Sequence, residues 1–65
     1  MIENINNVKQ YHPVGAMRWY RHMQAEVIDY DDSDRDIMIR INVEDNRHGG
    51  FRTIYCLPEE LTESP

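Results

Sequence analysis

The chain has one cysteine, Cys56, one lysine, Lys9, and only three glycines and three prolines among 65 residues. A single cysteine cannot close an internal disulfide. The three histidines have no cysteine partners at zinc-ligand spacing, so a structural zinc site is also excluded. No apolar run approaches the about 20 residues that span a bilayer. The opening "MIENINNVKQ" is not a basic stretch followed by an apolar one, so we expect a cytoplasmic protein with no membrane association. The charge balance is twelve acidic against seven basic residues, and it opposes direct nucleic-acid binding, which draws on clustered Lys and Arg to neutralise phosphates. Internal repeats and low-complexity linkers are absent as well, which leaves one domain as the natural partition.

What is there is enough to fold. Hydrophobic residues make up 40% of the chain and include four Tyr, one Trp and one Phe, which can fill a small core despite a mean hydropathy of −0.76. At 65 residues the domain lies near the lower limit for a single apolar core, so reserves of stability are thin and a cleft between domains is ruled out.

The clearest element spans residues 36–43, where Ile37, Ile39, Ile41 and Val43 alternate with Met38, Arg40 and Asn42. Period two with β-branched residues predicts a half-buried strand. Upstream, "MQAEVIDY" alternates Met23, Ala25 and Val27 with Gln24 and Glu26, and a hairpin turning at residues 31–35 joins the two. "EDNRHGG" supplies a second turn. "FRTIYCL" then sets Phe51, Thr53, Tyr55 and Leu57 against Arg52, Ile54 and Cys56. The result is an antiparallel meander.

Two segments are less regular. Residues 1–14 form a polar, Asn-rich N-terminal segment with Ile2, Ile5 and Val8 three apart, consistent with a helical turn or a loosely docked tail, and "YHPVG" reads as an entry turn. "AMRWYRHM" fits both a strand and a helical face. A strand is favoured, because a helix over about 16–28 packed on a small sheet, the α+β alternative, would consume the partner that strand 36–43 needs.

The Gly-led "GAMRWY", the "AEVIDYD" strand, the third strand, "FRTIYCL" and a closing "LPEEL" together resemble the SH3-like small β-barrels, including Tudor-type variants. The likeness covers residues 15–61, taken as a single all-β domain, with residues 62–65 as a tail. It implies an antiparallel meander closing into a barrel, with a short helical turn at residues 58–61 leading into a last strand. It also implies binding rather than catalysis, through aromatic residues beside acidic loops. Trp19, Tyr20, Tyr30 and Phe51, near strand ends or turns, are the candidate partner-binding aromatics. Against that stands a simpler assignment of Trp19, Phe51 and Tyr55 to the core, since little else can fill it.

Five aspartates, Asp29, Asp31, Asp32, Asp34 and Asp36, crowd "DYDDSDRD". A calcium loop beginning at Asp32 would need glycine where Ile37 stands and glutamate where Val43 stands, so no metal site is expected. Asp31, Asp32 and Asp34 are read as a solvated hairpin tip and, secondly, as a partner-binding element. Cys56 has no His or Asp at a spacing that would activate it and reads as an inert, half-buried thiol. "RWYRH" makes a small basic spot, with Arg18, Arg21 and His22 as candidate anion contacts.

No enzymatic activity and no cofactor are expected. The leading expectation is a non-catalytic protein-interaction module of bacterial or viral (phage) cytoplasmic type, binding a protein partner through its acidic loop and aromatic edge. The alternative is an acidic decoy that imitates nucleic acid and inhibits a nucleic-acid enzyme, its partner then being basic. More distant is a small-molecule or nucleotide-binding oligomer, and homodimerisation suits a domain of this size.

Overall fold

The computed structural model describes residues 4–33, 35–45 and 49–65. Ile2 and Asp34, named above, lie outside the described residues, as do residues 46–48 of the turn expected at "EDNRHGG". The described residues form one short helix and five strands: α1 (Ile5–Tyr11), β1 (Met17–Tyr20), β2 (Met23–Asp31), β3 (Met38–Asp45), β4 (Gly50–Cys56) and, after a 3-10 turn at Pro58–Glu60, β5 (Leu61–Thr62). All five strands join one antiparallel sheet in the order β4-β3-β2-β1-β5. The domain is therefore mostly β. Its hydrogen bonding does not close into the expected barrel, because β4 and β5 stand at opposite ends of that order.

The strand reading favoured for "AMRWYRHM" is what the chain adopts: strand, turn and strand stand where the alternative placed a helix over 16–28. Tyr20 pairs with Met23, which leaves Arg21 and His22 as a two-residue turn with φ of 48° and 68°. Positive φ at both central residues is what a right-twisted hairpin needs, and Asn or Gly normally supply it. Here two bulky residues carry that strain. The next turn is wider than residues 31–35, since β2 runs to Asp31 and β3 begins at Met38.

The buried face of the sheet holds Tyr20, Ala25, Val27, Ile39, Ile41, Val43, Cys56 and Leu61, with Ile37 and Ile54 packed against them. Alternation in β3 thus places Ile39, Ile41 and Val43 inward as the pattern requires. In β2 the same alternation would carry Asp29 inward after Ala25 and Val27. A register shift prevents it: Val27 faces Ile41 while Asp29 faces Arg40, with Ile28 as the extra residue. The bulge turns Asp29 to the outer face and brings Tyr30 inward opposite Ile39.

The N-terminal segment is integral to this core. Seven residues are too few for a helix to persist alone in water, but α1 buries Val8 in the sheet's core cluster. The Asn4 side chain caps its start by accepting from Asn6 N–H at 2.8 Å. At its end, Arg18 donates from Nη2 to the Tyr11 carbonyl at 2.7 Å and from Nε to His12 Nδ1 at 3.1 Å. The Tyr30 hydroxyl donates to the His12 carbonyl, and the Lys9 ammonium sits 5.6 Å from the Tyr30 ring centre. β1 and β2 thereby clamp α1 onto the sheet.

Candidate functional site

With one face of the sheet committed to the core, the outward residues of β1 to β4 form the surface on which function can be built. Cross-strand pairing sets them in rows: Met17 beside Glu26, Glu26 beside Asn42, and Asn42 beside Thr53, with Glu44 beside Phe51. The Thr53 hydroxyl donates to Asn42 Oδ1 at 2.9 Å, fixing the middle of this face. Between the rows lies a shallow concavity of about 210 Å³, lined by Met17, Gln24, Glu26, Asn42, Glu44 and Phe51. Phe51 is 73% exposed and Met17 58%, which is unusual for side chains of their size. Two apolar walls therefore flank a floor of two carboxylates and two amides. Further along β4, Tyr55 is 52% exposed and pairs with Arg40.

This arrangement corrects the assignment of Phe51 and Tyr55 to the core. The inward residues of β4 are Ile54 and Cys56, opposite Ile41 and Ile39, so Phe51, Thr53 and Tyr55 face outward. Of the candidate binding aromatics, Phe51 alone is prominent on the surface. Trp19 is half-buried on β1 between Gln24 and Thr62. Tyr20, 9% exposed, belongs to the core, because its position on β1 faces inward and pairs with Leu61. Tyr30 is half-buried and occupied in holding the N-terminal segment. Burial pushes its phenol above its ordinary value, and the nearby Asp29 charge adds to that.

Two of the described acidic residues in the segment "DYDDSDRD" are bonded locally. Asp29 is exposed on the sheet face and its Oδ1 accepts from the Tyr30 backbone N–H at 2.8 Å. Asp31 Oδ1 accepts from the Ser33 N–H at 2.9 Å and from the Ser33 hydroxyl at 2.6 Å. These bonds favour the charged form and hold the carboxyl below its ordinary value. Asp32 and Asp36 are exposed. Among the described residues no group of three or more His, Cys, Asp or Glu is placed to hold a metal ion.

The basic spot is divided. Arg18 is occupied by Tyr11, His12 and the Met17 carbonyl, while Arg21 lies 5.3 Å from the Tyr20 ring centre and His22 is exposed at the turn. Arg18 is thereby tied to the junction between α1 and β1. Cys56 is 1% exposed, and desolvation, with the Glu60 charge adding to it, pushes its thiol up to about 12. No helix among the described residues is long and apolar enough to cross a membrane.

The outer-face groove escaped sequence reasoning. Its residues come from four strands, and the one signal, the apolar Phe51 between a turn and Arg52, has the same appearance in a core strand. No protein-family model, curated protein or solved structure matches the chain.

Proposed function

We propose that this domain is a non-catalytic protein-interaction module of SH3-like type, and that it captures a basic segment of a protein partner on the outer face of its sheet. The observation that carries the reading is the groove itself: Met17 and Phe51 exposed on either side of Glu26 and Glu44. A Lys or Arg side chain suits such a site. Its alkyl stem covers Met17, its cation meets the carboxylates, and the Phe51 ring offers a π-face. The net charge of −5 favours basic partners at longer range. Support for the SH3-like fold comes from the 3-10 turn Pro58–Glu60, which feeds a last strand beside β1. Asp32, exposed at the β2–β3 tip, extends the acidic surface without belonging to the groove.

The test is amide chemical-shift titration with Arg-rich and Lys-rich peptides at two salt concentrations, on the wild type, Phe51→Ala and Glu26→Gln/Glu44→Gln. Saturable shifts confined to β1–β4, weakened in both variants, are the expected result. Shifts unaffected by Phe51→Ala but abolished by salt would reduce the face to a diffuse charged surface. That outcome would favour the nucleic-acid decoy, whose partner would then compete with DNA or RNA.

A further inference from the structure

The strand β4 is an edge of the sheet, hydrogen-bonded to β3 on one side only. It runs from Gly50 to Cys56 without proline or lysine, and its pairing with β3 proceeds from Ile39↔Cys56 to Asp45↔Gly50 without a register shift. Proteins ordinarily guard an exposed edge with a bulge, a proline, a lysine or a strand too short to pair. The opposite edge has such protection, since β5 is two residues long. Among the described residues nothing comparable protects β4, whose one charged residue is Arg52.

We infer that β4 is a self-association edge, pairing antiparallel with β4 of a second copy of this chain about a two-fold axis at Thr53, the strand's midpoint. In this register Phe51 lies opposite Tyr55 of the second copy, and the converse pair repeats it across the axis. Both are already exposed on the outer face, and aromatic pairs directly opposite one another stabilise antiparallel strands. Pairing continues into the neighbouring strands: Glu44 adjoins Phe51, and Arg40 adjoins Tyr55. Each cross-dimer row therefore reads Glu44, Phe51, Tyr55 and Arg40, with opposite charges at its two ends. Arg52 faces Ile54 of the second copy. Charge also selects this register over its neighbour, because an axis at Arg52 would oppose two like guanidinium groups and set Phe51 against Thr53. The second copy fits better than an unrelated strand because one seven-residue sequence supplies both halves of each aromatic pair.

Sedimentation equilibrium on the full chain, with no partner present, tests this independently of the groove. The wild type is expected to approach twice its 7.8 kDa mass with rising concentration. Thr53→Lys, which places two ammonium groups at the axis, is expected to remain at 7.8 kDa with an unchanged circular dichroism spectrum. Register is read from cysteine crosslinking in a glutathione redox buffer. Thr53→Cys should form a reducible covalent dimer, whereas Tyr55→Cys should not, its two copies being offset by on the order of 13 Å along the strands. Should Thr53→Lys fail to fold, the crosslinking pair decides alone. A monomeric wild type up to about 1 mM would overturn the proposal. So would undiminished association of folded Thr53→Lys, or crosslinking of Tyr55→Cys as efficient as that of Thr53→Cys.

Discussion

Raising the pH should destabilise this protein through a group that takes no part in the proposed groove. Cys56 points from β4 into the core opposite Ile39, and its thiol titrates near about 12 rather than the ordinary 9.0. The folded state therefore keeps its proton where the unfolded chain has released it. Stability is full well below pH 9 and is lost progressively as pH rises towards the folded value. Between unfolded and folded values of 9.0 and about 12, the loss is about 0.2 kcal/mol at pH 8.5 and about 1.4 kcal/mol at pH 10. Urea unfolding at these two pH values, on wild type and Cys56→Ala, measures it. The substitution itself removes a roughly constant amount of packing, so the signal is the difference in pH slope: about 1.2 kcal/mol more loss in the wild type. Tyr30, whose phenol is also raised by burial, contributes equally to both proteins and cancels. A thiol-specific reagent at pH 8 gives a second readout, labelling Cys56 only as the protein unfolds. Equal slopes in the two proteins, or rapid labelling of the native state, would refute the reasoning.

Other outcomes follow from the packing and the turns. Ile41→Ala should cost about 3 kcal/mol in chemical unfolding, close to the whole reserve of a core this small. Val8→Asp should release α1 from the sheet, seen as loss of amide protection over residues 5–11 and as a lower melting temperature. His22→Gly should raise stability by about 1 kcal/mol, because φ of 68° costs a side chain but not glycine. Asp31 should titrate below an ordinary aspartate by NMR, and Ser33→Ala should return it towards that value by removing the hydroxyl donor.

The groove and the edge strand both depend on which way β4 faces, and here sequence and tertiary structure divide the work. Alternation by itself determined that β3 is a strand and that Ile39, Ile41 and Val43 share one face, because the residues between them, Arg40 and Asn42, are polar. It also determined that the chain is a small antiparallel meander, since short alternating runs separated by turn residues admit little else. For β4, period two defines two faces without saying which is inward. The rings of Phe51 and Tyr55 offer as much apolar surface as Ile54 and Cys56, and only the register against β3, with Ile41 opposite Ile54 and Ile39 opposite Cys56, decided the matter. The bulge at Ile28 is likewise a tertiary outcome, as β2 must leave strict alternation to keep the Asp29 carboxylate in water. The helix at Ile5–Tyr11 has the same origin. Its seven residues carry too little propensity to fold alone, and they are held by Val8 in the core and by Arg18 and Tyr30, groups distant in sequence that only the folded sheet brings together.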